Sequence, residues 1–556
     1  MGKTLFIDFS LLCEEIGKTA KRKEKIKILS DFLLKLDKEE IGPVLTFLLG
    51  KISAEKKLGI REGGIIRIIE KISGKRFSDF LAKTGDFGEA VKEIFYEINR
   101  DKIKPALTIK EVYEEFVRIS EIKGDFSKEE KEKILTDILE RANPLEAKYI
   151  VKSIIGEMRH GVKEGLLIES LSFILNIDKK EIERSFLISG DIKKVLFEGL
   201  TRGKDGIRDI EFKIFNPLFP MLAETANSIE EAISLHKGKV AIEYKLDGIR
   251  AQIHKEGEKV IIFSRNLENI TDSFPEIVKE IKKIKVESIV VEGEIIGVDR
   301  EGKPLPFQYL MRRAGRKRDI TFSGIPVKIF LFDILFLNGK LLIDLPYCER
   351  RRLLEEIGRE IQVVEKFEPE RLEDAENYFE KAISLGHEGI MVKNISSPYI
   401  PGTRGKNWLK IKKINTLDLV IIGAEWGYGR RKNYLSDLYL GIMDDEKRKI
   451  MCVGKTFKGL SDEELKNLTG RLLSLKISQK GRTIFVKPEI VVEVIFDEIQ
   501  KSPVYDSGFA LRFARIKGIR EDKGKQDINT ISDLKNLYKK QSLLKGKYEE
   551  IQGSLL

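Results

Sequence analysis

The stretch "AIEYKLDGIRAQIHK", residues 241–255, sets a lysine between two acidic residues and then turns the chain at a glycine. Tyr244, Leu246 and Ile249 alternate with polar residues around Asp247-Gly248, so one reading is a hairpin with solvated charges. The other makes Lys245 a nucleophile. If residues 243–247 are extended, Glu243, Lys245 and Asp247 project to one face, because side chains in a strand repeat every second residue. In "WLKIKK" (408–413), Trp408, Lys410 and Lys412 likewise share a face opposite Leu409 and Ile411, and in "VVEGEIIG" (290–297) Glu292 and Glu294 share one. Each segment alone reads as a solvated sheet face. Together they predict a polar cleft.

Outward from this stretch the hydrophobic period divides the chain. Residues 1–212 read as successive helices. "TIKE" (Thr108, Glu111) and "SKEE" (Ser127, Glu130) have the form of capping boxes. "NPLE" offers Asn143 as N-cap, Pro144 at the first helical position and Glu146 at the third. The pattern after it brings Ile150, Ile154 and Met158 onto one helical face, with Gly161 and Gly165 ending or interrupting it. From residue 239 the period falls to two. "VVEGEIIG", "KIFLFDILFLNG" (328–339) and "EGIMVK" (388–393) are β-rich, Asn338-Gly339 is a hairpin turn, and "RLEDAENYFEKAISLG" between them is helical, so the middle third is α+β. Beyond residue 414, strands at "LDLVIIGAEWG", "LYLGIMD", "KIMCVGKTF", "RTIFV" and "IVVEVIFDEIQ" surround a helix capped by Ser461 and Glu464. That order and size fit an OB-type barrel.

The 556 residues exceed one core, and a prior of about 100–200 residues per domain suggests three or four. Lys+Arg number 101 and Asp+Glu 90, a net charge of +11 that suits a polyanionic partner without requiring one. Charged residues make up 34%, against about 25% in an average domain, which predicts a heat-stable protein with ion-pair networks. Cys13, Cys348 and Cys452 lie far apart, so a disulfide framework and a CxxC zinc site are excluded and a reducing cytoplasm is expected. The first residues form no signal peptide, Phe6 breaks the myristoylation pattern, and no apolar run approaches membrane-spanning length.

"KLDGIR" (245–250) resembles the KxDGxR motif of the covalent nucleotidyltransferases, the polynucleotide ligases and mRNA capping enzymes. The other family motifs follow in order: "FSRN" (263–266), "VEGEII" (291–296), "FLFDILFLNG" (330–339), "EGIMVK" (388–393), "WLKIKK" (408–413) and "ALRFARIKGIRED" (510–522). "NPLFPMLAE" and "AKYIVKSIIGEMRHGVKEG" are similar to segments of ATP-dependent DNA ligases of the archaeal and eukaryotic replicative type, where a helical DNA-binding domain precedes the core. The resemblance implies a multidomain fold: an all-α N-terminal DNA-binding domain (1–212), an α+β nucleotidyltransferase (adenylation) domain (213–413) and a C-terminal all-β OB-fold barrel (414–556).

It also implies a reaction: ATP-dependent sealing of nicks in duplex DNA through lysyl-AMP and DNA-adenylate, in replication, repair and recombination. Lys245 would be the nucleophile. A lysine must be neutral to attack phosphorus, and neutrality at pH 7 against a pKa near 10.4 costs about 4.6 kcal/mol. Neighbouring anions such as Glu243 and Asp247 favour the ammonium, so the opposing cations must come from elsewhere, with Arg250, Lys410, Lys412 and Mg²⁺ as candidates. By resemblance, Glu243 would meet the adenine, Arg250 and Arg265 the ribose and phosphates, and Phe332 would stack on the base. Arg404 and Lys410 would bind ATP phosphates, while Lys393 and Lys412 line the same pocket. Glu294, within the nucleotide site, and Glu388 would lie near Mg²⁺, or Mn²⁺ in its place. Arg512, Arg515 and Lys517 would orient the leaving pyrophosphate, although Ala514 stands where the family commonly has proline. The implied partner is nicked double-stranded DNA, met by a monomer in the cytoplasm without a membrane; a sliding clamp rests on family analogy only.

Other signals carry less. The three "GKT" triplets lack a P-loop: Leu12 and Lys449 stand where the later two copies need glycine, and the first has no room. His160, His236, His254 and His387 show no metal-ligand spacing and read as surface or structural residues. Trp426 reads as barrel core in preference to a base-stacking residue. Two other readings compete: an RNA ligase or capping enzyme, which leaves the helical third unexplained, and a non-catalytic DNA-binding scaffold, against which the intact KxDGxR speaks. Use of NAD⁺ is disfavoured by the missing cysteine clusters.

Overall fold

The computed structural model describes residues 4–50, 58–122, 127–237, 239–314, 324–358 and 361–546, and the chain divides into two compact units, Met1–Phe219 and Pro220–Leu556. The first unit is helical from Phe6–Lys18 to Ile192–Arg208, around an apolar core that includes Phe6, Phe9, Phe47, Phe95 and Phe116. Asn143 caps Pro144–Ile155 as its spacing predicts: its side-chain oxygen accepts from the Leu145 and Glu146 amides at 3.0 Å, and Glu146 accepts from the Asn143 amide at 3.0 Å. Thr108 caps Ile109–Glu121 by accepting from the Glu111 amide, but the Glu111 carboxylate turns to Arg141 at 2.7 Å. Ser127 and Glu130, expected as a capping box, are the first and fourth residues of the helix Ser127–Arg141, and residues 123–126 before it lie outside the described residues.

One helical expectation fails. The apolar spacing carries Met158 onto the helix of Ile150 and Ile154, yet that helix ends at Ile155. Gly156 adopts φ 80°, the left-handed conformation that glycine takes without steric cost, and its amide bonds to the Lys152 carbonyl at 2.9 Å. Residues 156–163 form a loop, and Gly165 falls inside the next helix, Glu164–Leu175. Lysines buried beside this loop are paired, as burial requires: Lys152 meets Asp86 at 3.1 Å, a carboxylate that the exposed Arg159 also meets at 3.2 Å, and Lys148 sits between Glu14 and Glu89.

The second unit contains two five-stranded sheets and a curled seven-stranded one. In the first, Val240–Lys245 lies between Gly389–Asn394 and Lys366–Phe367, and Gly389–Asn394 continues to Arg404–Lys412. In the second, Ile249–Glu256 lies between Lys259–Ser264 and Ser288–Gly297, followed by Val327–Leu337. Asp247-Gly248 is therefore no hairpin. Its two strands belong to different sheets, and the turn carries the chain from one to the other. A Cβ on Gly248 would overlap the Ile295 carbonyl oxygen, so glycine is required by the close approach of a backbone. Asn338-Gly339, with φ 43° and 84°, is the hairpin turn its sequence predicts.

Beyond residue 414 the predicted strands form around a helix Asp462–Ser474 with the full Ser461/Glu464 box, except that "IVVEVIFDEIQ" divides into Val491–Phe496 and Glu498–Lys501, which belong to different sheets. The sheet curls until its ends meet: the Ile516 amide donates to the Lys458 carbonyl at 2.9 Å and the Thr456 hydroxyl to the Ala514 carbonyl at 2.6 Å. Trp426 packs against the barrel core, as expected. The sequence reading omits Lys476–Lys480, Phe509–Arg512, Arg515–Ile519 and a final helix, Ile531–Leu544. Among the described residues no helix is long and apolar enough to cross a membrane.

Candidate active site

Lys245 ends its strand at the register position opposite Gly389, where Lys412 arrives from the other side. A Cβ on Gly389, whose φ is 148°, would overlap the Ile411 carbonyl oxygen, so a glycine lets the three strands converge. The convergence places both amines on one carboxylate oxygen: Lys245 Nζ lies 2.6 Å and Lys412 Nζ 2.8 Å from Glu388 Oε2. Burial pushes the Glu388 carboxyl up, but the two ammonium groups outweigh it and hold the group well below the usual carboxylate range. Lys412 also meets Asp497 at 2.8 Å, which ties the central region to the barrel.

Cations crowd the same face. Burial lowers the pKa of Lys410, and repulsion from Lys412, Arg404, Lys245 and Arg265 lowers it further. Arg404 and Arg265 are exposed, and the only hydrogen bond of the Arg404 side chain among those described goes to the Ala223 carbonyl at 3.3 Å. Glu294 faces this group from Ser288–Gly297. Burial raises its pKa to about 7; Lys245 and Arg250 oppose the rise, while Glu388 and Asp247 reinforce it. A pocket with several cations and few committed anions suits a polyphosphate.

Behind the cations lies a buried polar and aromatic layer. Arg250 donates to the Met221 carbonyl at 2.6 Å and to Glu292 at 2.6 Å, and the Tyr399 hydroxyl donates to Glu292 at 3.0 Å. Arg250 Nε is buried with no hydrogen-bond partner among the described residues. The guanidinium lies 5.4 Å from the Phe332 ring centroid and 5.8 Å from that of Trp408. Glu243, 2% exposed, is committed to Lys393 at 2.5 Å, Arg351 at 2.7 Å and the Tyr347 hydroxyl. Arg351 and Tyr347 thus share its Oε1 and Lys393 takes its Oε2. Lys393 lies within 4.9 Å of the Phe332, Tyr347 and Trp408 rings, and burial lowers its pKa against the pull of Glu243.

The motif of residues 510–522 divides. Arg512 reaches Asp247 at 3.3 Å, and Lys545, from the end of the last helix, reaches the same carboxylate at 3.3 Å. Arg515 is exposed opposite Ile495, and Lys517 pairs with Glu493 at 3.0 Å. Only the first of the three expected pyrophosphate-orienting residues thus joins the cluster. Sequence reasoning set Glu292 on the cleft face without a role and missed Tyr347, Arg351, Tyr399, Asp497 and Lys545; for the supporting pair of Asp333 and Arg350 a hint existed, because Asp333 interrupts the apolar run "FLFDILFL". That pair is fully buried and bidentate, at 2.8 and 3.0 Å.

Among the described residues no three His, Cys, Asp or Glu side chains form a ready metal cage. Two carboxylates, Glu294 and Glu388, are present as the hard oxygen donors that a divalent cation prefers. Glu294 is kept partly protonated by burial and by repulsion from Glu388 and Asp247, a repulsion that such a cation would relieve.

Three family profiles match the chain: "DNA ligase N terminus" over residues 5–172, "ATP dependent DNA ligase domain" over 220–412 and "ATP dependent DNA ligase C terminal region" over 431–523. The DNA ligase of Thermococcus onnurineus (strain NA1) is 39% identical over 561 residues, covering 98% of this chain and 100% of that protein. DNA ligase 1 of Korarchaeum cryptofilum (strain OPF8) is 39% identical over 548 residues, covering 97% and 99%. A solved structure named Pmar-Lig_PreS3 shares the fold at 18% identity, with a TM-score of 0.57 over 92% of this chain and 99% of that one.

Proposed function

The chain belongs to the ATP-dependent DNA ligase family and is an ATP-dependent DNA ligase, and from that premise we propose that Lys245 carries AMP between ATP and the nick. The observation that supports this best is the crowding of Lys410, Lys412, Arg404 and Arg265 around Lys245, cations that favour a neutral amine against the pull of Glu388. In the first step Lys245 Nζ attacks the α-phosphorus, a P–N bond forms, the bond to the β-phosphate oxygen breaks, and pyrophosphate leaves. A 5′-phosphate oxygen at the nick next attacks that phosphorus and releases the amine. The 3′-hydroxyl then attacks the 5′-phosphorus, and AMP departs.

Lys410, Arg404, Arg265 and Lys412 would bind the phosphates, with charge compensation as the main catalytic effect. Arg250 would present its unpartnered Nε to the ribose, Phe332 would cover the base, and Lys393 and Glu243 would fix the pocket wall. Glu294 and Glu388 would hold Mg²⁺, or Mn²⁺, which when bound neutralises phosphate charge. Arg512 would orient the leaving pyrophosphate, and Arg515 and Lys517, from their exposed strand, would require a shift of the barrel to join it. Residues 1–212 would grip duplex DNA, 213–413 perform the transfers and 414–556 supply Arg512. The reading also takes the enzyme as a cytoplasmic monomer, with a sliding clamp as partner by analogy.

The test is covalent labelling. With α-labelled ATP and Mg²⁺ the protein should acquire label at Lys245, and nicked DNA should discharge it with sealing. A Lys245→Arg variant that still joins strands, or an adduct found by mass spectrometry on another side chain, would refute the assignment.

A further inference from the structure

The guanidinium carbon of Arg512 lies 4.3 Å from the Phe307 ring centroid and 4.9 Å from that of Phe513. Both distances fall within the ~6 Å over which a cation is drawn to an aromatic face. The rings come from different places: Phe307 opens the helix Phe307–Ala314 of the central region, and Phe513 directly follows Arg512 on the barrel. The two carboxylates beside Arg512 cannot orient it alone. Asp247 and Glu498 both contact the same Nη1, each at 3.3 Å, and among the described residues no second bond fixes the guanidinium plane.

Phe513 has no other evident reason to be as it is. Its φ of 54° is unusual for a bulky residue, and it is 56% exposed, outside the apolar core of the barrel. Backbone strain of this kind persists where the surroundings impose it, most often at functional sites. The left-handed turn at Phe513 lets the ring next in sequence to Arg512 cover the guanidinium itself.

We infer that Phe307 and Phe513 are positioning residues that hold the Arg512 guanidinium for departure of pyrophosphate in the first step. The inference rests on the role assigned to Arg512 above. A flat cation covered by two rings presents its remaining N–H groups edge-on, which suits a phosphate better than a freely rotating group does.

Single-turnover self-adenylylation of the full-length enzyme without DNA tests this, run forward over a range of ATP and in reverse with pyrophosphate and the AMP-loaded protein. Phe307→Leu and Phe513→Leu, which keep apolar bulk, should each lower the forward rate about ten-fold, change KM for ATP less than about two-fold and raise KM for pyrophosphate. Phe→Tyr at each position should restore the rate. In an Arg512→Ala background the leucine substitutions should add nothing, because the rings act through the guanidinium. Parent rates in both leucine variants, or an equal loss in the Arg512→Ala background, would overturn the inference; melting temperatures identify a variant that fails to fold, for which Phe→Met takes its place. If Arg512→Ala slows the step and the leucine variants do not, only this inference falls. If Arg512→Ala proceeds at the parent rate, the assignment of Arg512 falls as well.

Discussion

Glu294 shows how strongly a residue here depends on what fills the cleft. Its carboxyl is raised to about 7 by burial, with Glu388 and Asp247 adding to the rise. A carboxyl raised on folding contributes stability only while it is protonated, so that contribution is lost as pH rises from the unfolded value, near 4.3, through the folded one. Without ligands, Glu294→Gln should therefore gain stability relative to the parent between pH 5 and about 7.5, by on the order of 2 kcal/mol, and then level off. Urea melts of both proteins across this range would check it; a constant difference would contradict the raised value. At this scale the sequence made the cleft's own charges legible, since the alternation in "KLDGIR", "VEGEII" and "WLKIKK" puts Lys245, Glu294, Lys410 and Lys412 on polar faces. It could not reveal that Tyr347 and Arg351, from the helix Tyr347–Ile357, both bond Oε1 of the Glu243 carboxylate. That contact depends on how a helix packs over a sheet, and "YCERRRLLEEI" reads equally well as a solvated helix.

Among the elements, local chemistry predicted starts better than partners. The Asn143 box was readable because every atom it uses lies within four residues. Asn143→Ala should lower the stability of the first unit by about 1 kcal/mol, seen as a shift of the urea midpoint with an unchanged slope. Asn143→Ser should recover most of it. Asp247-Gly248 misled as a hairpin signal because turn residues specify only the bend; which strands pair depends on chain far away, here Gly389–Asn394 for one and Ser288–Gly297 for the other. Gly156 was overlooked for a related reason: the apolar period continues past it to Met158, while a glycine able to turn left-handed stops the helix first. Phe509–Arg512 is short and interrupted by the unusual φ of Phe513, so no alternation marks it.

The molecule as a whole joins regions with different electrostatic tasks. Removing residues 1–212 should leave self-adenylylation intact, because every side chain assigned to the first step lies beyond them, but weaken binding to nicked duplex and flatten its dependence on salt. Labelling with ATP and nick binding at several salt concentrations would show both, and loss of labelling would contradict the domain assignment. The ion pairs anticipated from the charged composition are present, and several are linked: Glu169 meets both Arg22 and Lys179, and Lys179 also meets Glu183. Linked pairs of this kind contribute more as temperature rises. Asp247 gives such linkage a different use. It is the anchor point for two straps, Arg512 from the barrel and Lys545 from the end of the last helix, each fastened at 3.3 Å. One carboxylate two residues from the nucleophile therefore works as a buckle. Were its charge lost, both straps would lose this hold at once, with Arg512 keeping Glu498, so the aspartate of the catalytic signature also fastens distant parts of the chain.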